Sequence, residues 1–301
     1  MKVIRRLGPI LLIGFSTALQ AQTLEPPVKL GGLIQFWTQF SADQWTETFH
    51  YVRLKAKAQI DPQTSVLVMP VLGTNSTFTL LDAFVKRDLE GDFLLTAGQF
   101  KFVFGDDRQL HPDELKRVDY AKMDRFAFPG SPWEMGFRVE KTFGSWKMGA
   151  DILQGAGPNV AQDNNGIKDV SGRLEWAEDG VLLGASYYGG TANSTGFTAY
   201  QNWLGAHVRF EREGWEGKLE SIWAPVNSGY TVQLAYKTGG WEPLLYGECG
   251  FTGALQAYEL LGGGLNFWAA AHTRLSLNVS LNGTRDLSGP ALSVFQVEQV
   301  F

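Results

Sequence analysis

The sequence predicts an all-β chain closed into a transmembrane antiparallel β-barrel of roughly 16 strands with no plug domain. Three observations carry that expectation. In residues 50–60, His50, Val52, Leu54, Ala56, Ala58 and Ile60 share one parity, while Tyr51, Arg53, Lys55, Lys57 and Gln59 share the other. Successive side chains of a strand point to opposite faces, so one face suits lipid and the other suits water. Second, no segment after the N-terminus supplies the roughly 18 uncharged apolar residues of a membrane-spanning helix, although the chain is 44% hydrophobic and 13% aromatic. Third, strand-length segments follow one another with alternately short and long connections, the rhythm of an outer-membrane barrel.

The elements follow in order. Residues 1–21 read as a secretory signal peptide: basic residues at Lys2, Arg5 and Arg6, an apolar stretch at 10–15, and small residues that place cleavage after Ala18 or Ala21. Removing those three cations takes the formal net charge from −5 to −8, a balance that argues against a nucleic-acid partner. Residues 22–301 are then the barrel. Segments 33–40, 46–60, 64–72, 77–87 and 93–101 alternate apolar and polar residues, with short turns at 61–63 and 88–92. A charged segment, 106–131, interrupts the rhythm. Strands resume at 133–141, 146–153, 168–176, 181–188, 199–212, 215–224, 229–237, 241–249, 258–269, 274–282 and 291–301. Seven short turns (61–63, 88–92, 142–145, 177–180, 213–214, 238–240, 270–272) fall where hairpins of one barrel need them, and the long connections include 106–131, 154–167, 189–196 and 283–290. Thirty-five glycines and ten tryptophans fit twisted strands and interfacial aromatic girdles; Trp133, Trp146, Trp176, Trp215, Trp223 and Trp241, near strand ends, are the girdle candidates. Phe295, Val297 and Phe301 share a parity in the last strand, which therefore ends on an aromatic.

Two stretches resemble a known family. Leu94-Leu95-Thr96-Ala97-Gly98-Gln99-Phe100-Lys101-Phe102-Val103-Phe104-Gly105 looks like a strand ending in a GQFK-x-x-FG step. Gly155-Ala156-Gly157-Pro158-Asn159, then Asp163-Asn164-Asn165 and Lys168-Asp169-Val170-Ser171-Gly172-Arg173-Leu174-Glu175-Trp176, follow in order. Both are similar to the phosphate-selective porin O and P family, over about 49–176. The resemblance implies a 16-stranded, trimeric outer-membrane porin, with the loop after the GQFK strand folded into the lumen; 106–131 occupies that place. Its mixed sign departs from a phosphate-selective pattern.

Functional expectations rest on charge in a watery lumen. Arg53, Lys55 and Lys57 form a ladder that would attract anions; Lys86 and Lys101 extend it, Asp82 interrupts it, and Arg138 and Arg173 complete the pore-lining candidates. The bland alternative pairs the ladder with acids such as Asp82 or Glu134. Arg108, Lys116, Arg117, Lys122 and Arg125 are the constriction-loop candidates. The expected activity is passive diffusion of small hydrophilic solutes, with anion (phosphate-like) preference as the finer reading, in the bacterial outer membrane among its lipids. The rival readings are a structural or adhesive barrel with a blocked lumen, and an outer-membrane hydrolase. No CxxC, HExxH or calcium-loop motif is present, so neither metal nor cofactor is expected, and His50, His111, His207 and His272 form no marked triad. Cys249 is the single cysteine.

Overall fold

The computed structural model describes residues 28–41, 44–72, 78–128, 130–163, 166–191, 200–283 and 291–301. The signal peptide and parts of the long connections at 189–196 and 283–290 lie outside them. The strands are β1 (Lys29–Ser41), β2 (Gln44–Asp61), β3 (Thr64–Leu72), β4 (Phe78–Leu89), β5 (Phe93–Lys101), β6 (Trp133–Phe143), β7 (Trp146–Leu153) and β8 (Asp169–Glu178). They continue as β9 (Val181–Gly190), β10 (Gln201–Arg212), β11 (Trp215–Trp223), β12 (Asn227–Tyr236), β13 (Trp241–Thr252), β14 (Leu255–Ala270), β15 (Thr273–Gly283) and β16 (Ala291–Val300). Each pairs antiparallel with its sequence neighbours, and β1 pairs with β16 to close the barrel. Closure leaves no open sheet edge, the condition for backbone inside lipid. The seam ends in two bonds between Gly32 and Phe301, at 2.8 and 3.1 Å.

Side-chain chemistry sorts by parity as expected. On β15, Leu277, Val279 and Leu281 are exposed outward, whereas Arg274, Ser276, Asn278 and Ser280 are buried inside. The tight turns suit their strands: Asp179 and Gly180 both have positive φ, 50° and 78°, the form whose twist matches a two-residue hairpin.

Two expectations need correction. His50 does not belong to the apolar face of β2. The register passes from Gln35 opposite Tyr51 to Phe36 opposite Phe49, so His50 is a bulged extra residue; it stacks on the buried Trp37, centroids 3.4 Å apart and planes 11° apart. Trp133 is not a girdle residue: it is buried inside the wall, donating Nε1–H to Asp82 Oδ1 at 3.2 Å. Trp146, Trp215, Trp223 and Trp241 are exposed on the outer face.

Candidate functional site: the lumen and the segment that crosses it

The segment between β5 and β6 runs through the barrel interior, where its irregular backbone needs hydrogen-bond partners that strands would otherwise provide. Inward side chains of the wall supply them. Val103 N–H donates to Asp151 on β7 at 2.8 Å, and Gly105 N–H to Ser186 on β9 at 3.1 Å. The N–H groups of Asp106 and Asp107 donate to the two oxygens of Glu220 on β11, at 2.6 and 2.9 Å. Met123 N–H reaches Glu248 on β13 at 2.8 Å. Farther round, Asn266 on β14 donates to the Lys116 carbonyl at 2.7 Å, and Arg274 on β15 to the Leu115 carbonyl at 2.5 Å. Two 3-10 turns, at Asp107–Gln109 and Pro112–Glu114, and a short α-helix, α1 (Lys122–Ala127), lie within the segment.

Packing reinforces this tether. Phe102, Phe104 and Phe128 are buried with Tyr188 of β9 and Trp203 of β10 in one apolar cluster, with ring centroids 4.8 to 6.2 Å apart. This side of the lumen is filled.

The loop cations divide between tethers and open groups. Arg108 closes the segment on itself, donating to the carbonyls of Gly130 (3.1 Å), Asp124 (2.6 Å) and Phe128. Lys116 lies 3.0 Å from Glu216 and 3.1 Å from Glu242. Arg117 pairs with Asp107 at 3.2 Å and Glu248 at 2.6 Å, and Lys218 pairs with Asp107 from the wall. Lys122 and Arg125 are exposed, the first over the Tyr258 ring and the second 3.1 Å from Asp119.

Open space remains on the side of the lumen that runs from β13–β16 through β1 to β8. Four cavities, of about 290, 330, 160 and 310 Å³, adjoin in series: the first two share Tyr120 and Arg125, the next pair Lys101, and the last pair Gln109 and Arg138. The pore-lining candidates gather around them. Arg53 and Lys101 line the second; Lys55, Asp82, Lys86, Lys101 and Arg138 line the third; Arg138 and Arg173 line the fourth. Lys57, near the end of β2, is exposed and lines none of these four. Lys101 faces inward although Thr96 and Phe100, of the opposite parity, face the same cavity. Lys101 is the last residue of β5, where the chain leaves the strand for the crossing segment.

Pairing with the acids named above does not occur among the described residues. Among the described residues, no carboxylate lies within 4.0 Å of Arg53, Lys55 or Lys57. Glu134 instead accepts the N–H groups of Gly157 (2.7 Å) and Met135 (3.1 Å). Arg138 is held by Asp151 at 2.7 and 3.1 Å. The surplus positive charge is felt by His111, in the loop: burial first, then Lys101, Lys55 and Arg53, push its imidazole down to about 4, against Asp113.

Asp106, Glu175 and His207 bring one potential metal-ligand atom each within 4.8 Å of one another. A guanidinium already occupies that space. Arg173 Nη2 lies 3.2 Å from Asp106, 2.6 Å from Glu175 and 3.4 Å from His207 Nε2, and Arg209 Nε lies 2.7 Å from the other Asp106 oxygen, so two guanidiniums balance two carboxylates in a strut. His50 sits 3.8 Å from Asp119, and among the described contacts neither histidine bonds a hydroxyl or thiol.

Sequence reasoning named the cations and set Tyr51 on their face, misplaced Trp133, and missed Tyr120, Glu242 and Glu248. Parity on β13, where Glu242, Tyr246 and Glu248 alternate with Leu245, could have found the last two.

No family model and no curated protein matches the chain. Solved structures match its fold. The anion-selective porin of Comamonas acidovorans is 11% identical, with a TM-score of 0.72 over 92% of this chain and 100% of that one. OmpF of Salmonella typhi, in complex with daunomycin, is 9% identical, with a TM-score of 0.71 over 92% and 98%. OmpT of Vibrio cholerae, in its trimer form, is 10% identical, with a TM-score of 0.67 over 91% and 99%. The chain thus has the fold of bacterial outer-membrane porins, and its closed sheet with an apolar outer face is an outer-membrane barrel.

Proposed function

We propose that this barrel is a passive aqueous channel for small hydrophilic solutes, with a path that runs from the β13–β16 side past β1 to β8 and a local preference for anions. The observation that carries the reading is the series of adjoining cavities bordered by Arg53, Lys55, Lys86 and Lys101, three of which make no ion pair with a carboxylate within 4.0 Å among the described residues; Lys86 alone has one, Glu140 at 3.8 Å. Unbalanced positive charge beside a narrow water path in a low-dielectric wall raises local anion concentration and lowers the barrier to entry. The fold-level likeness to an anion-selective porin supports the same sign. Phosphate-like oxyanions are the solutes that the GQFK-x-x-FG resemblance adds, and 106–131 is the constriction. A homotrimer is the assembly proposed, supported by the trimer form of a fold neighbour.

Planar-bilayer recording tests this. Wild-type protein is expected to conduct and to show an anion-selective reversal potential under a KCl gradient. Changing Arg53, Lys55 and Lys86 to Gln together moves that potential toward cations. An unchanged potential would remove them from the path.

A second reading has its own observation: the buried Phe102, Phe104, Phe128, Tyr188 and Trp203 cluster fills much of the lumen, as in a blocked, structural barrel. Absence of conductance from correctly folded protein would favour it. Turnover of lipid or peptide would favour a hydrolase instead.

A further inference from the structure

The second cavity, of about 330 Å³, lies between β2, β3, β4, β6 and the crossing segment. Arg53 is 4% exposed there, and neither its Nε nor its Nη1 has a hydrogen-bond partner among the described residues. A buried guanidinium left in this state is unusual, because unpaired buried donors are strongly disfavoured. Its hydrogen-bonding capacity is open to an acceptor that enters the cavity.

The remaining walls say what kind of acceptor. Arg53 lies 4.5 Å from the Tyr51 ring centroid and 5.9 Å from that of Trp133. Tyr120, Val71 and Leu81 complete a mostly apolar enclosure. Neighbouring cations are already engaged. Lys101 Nζ donates to the Leu110 carbonyl at 2.8 Å and approaches the Tyr120 hydroxyl at 3.3 Å; Arg108 serves carbonyls, and Arg125 serves Asp119. A phosphate dianion, with four oxygens to satisfy, would find one free guanidinium among rings. A flat apolar body with a single carboxylate fits better, since the carboxylate accepts two parallel bonds from the guanidinium fork and the rings cover the body. Asp124 also borders the cavity, with neither carboxyl oxygen hydrogen-bonded among the described residues. Burial, with Glu220 and Asp107 nearby, raises its carboxyl well above the ordinary range, so it does not repel the ligand.

We propose that this cavity binds a small aromatic monocarboxylate, its carboxylate on Arg53 and its ring among Tyr51, Tyr120 and Trp133. The inference rests on the channel reading only in that the ligand reaches the cavity through the lumen.

The test uses benzoate as the probe on purified, folded barrel in detergent, by equilibrium dialysis with labelled ligand. KCl conductance is recorded from the same preparation. Saturable benzoate binding is expected, with benzyl alcohol and inorganic phosphate at least 10-fold weaker as competitors. Arg53→Gln should weaken binding at least 10-fold, and Trp133→Leu several-fold, with folding of each verified by heat-modifiable migration. Should R53Q fail to fold, W133L and the competitor ranking carry the test. Non-saturable binding overturns the proposal. So does phosphate competing as well as benzoate, or a folded R53Q that binds as wild type does. Benzoate binding without KCl conductance supports the site while overturning the channel; conductance without saturable binding does the reverse.

Discussion

Arg117 Nη1 donates to Glu248 Oε1 at 2.6 Å, tying the middle of the segment that crosses the lumen to a wall strand 131 positions farther along the chain. Both side chains are almost fully buried, and the other Glu248 oxygen takes the Met123 N–H at 2.8 Å. Removing one partner of such a pair leaves an uncompensated buried charge, a loss of about 3 kcal/mol or more. Glu248→Gln should therefore lower the temperature at which the folded form is lost on heat-modifiability gels, and make single-channel current noisier as the segment loosens. Replacing both partners with apolar residues, as in R117M/E248L, should recover part of the loss, because no charge is then stranded. A double variant less stable than E248Q would show that the pair stabilises the fold beyond mere compensation.

Arg173 fills the space among Asp106, Glu175 and His207, with Nη2 2.6 Å from Glu175 Oε1. One imidazole and two carboxylates are a workable zinc set once the cation is gone. Arg173→Ala is expected to convert the strut into a site taking one Zn²⁺ per chain, which calorimetry would detect in R173A and not in wild type. Adding His207→Ala should abolish it. Equal zinc uptake by wild type and R173A would mean that the guanidinium does not hold the position.

A pH dependence follows from Asp124. Its carboxyl is buried, has no hydrogen-bond partner among the described residues, and lies near Glu220 and Asp107; its affinity for the proton is raised well above that of an ordinary aspartate. The folded chain then keeps a proton that the unfolded chain has released. The associated stability is present in full below the unfolded pKa and is lost as pH rises through the folded value. Asp124→Asn stays neutral throughout, so the melting-temperature difference, variant minus wild type, should grow as pH is raised from 5 to 9. A flat difference would place the proton elsewhere.

How much of this was legible in sequence depends on the range of the interaction. The wall of β15 could be read directly, since Leu277, Val279 and Leu281 alternate with Ser276, Asn278 and Ser280 and their two solvents follow from parity. His50 could not, because a bulge adds a residue without changing composition, and only the partner register at Gln35 and Phe36 reveals it. Trp133 failed for a related reason: at the first residue of a strand the chain is still arriving from the loop, so parity does not yet fix its direction. The loop cations were visible, yet whether Arg117 is a tether or a lure for solute is decided by Glu248, which no local pattern connects to it.

The cationic ladder itself divides into unequal rungs. Arg53 and Lys55 border the cavities, whereas Lys57 is exposed beyond them near the end of β2. Salt screens an exposed charge over a Debye length of about 8 Å at physiological ionic strength, while a charge against a low-dielectric wall is screened less and acts more strongly. Single changes should rank accordingly: R53Q and K55Q each shift the reversal potential toward cations, and K57Q shifts it least. Raising the salt concentration should shrink the K57Q effect more steeply than the R53Q effect. A K57Q shift equal to that of K55Q would place the solute path at the end of the strand rather than along the cavities, and with it the origin of the selectivity.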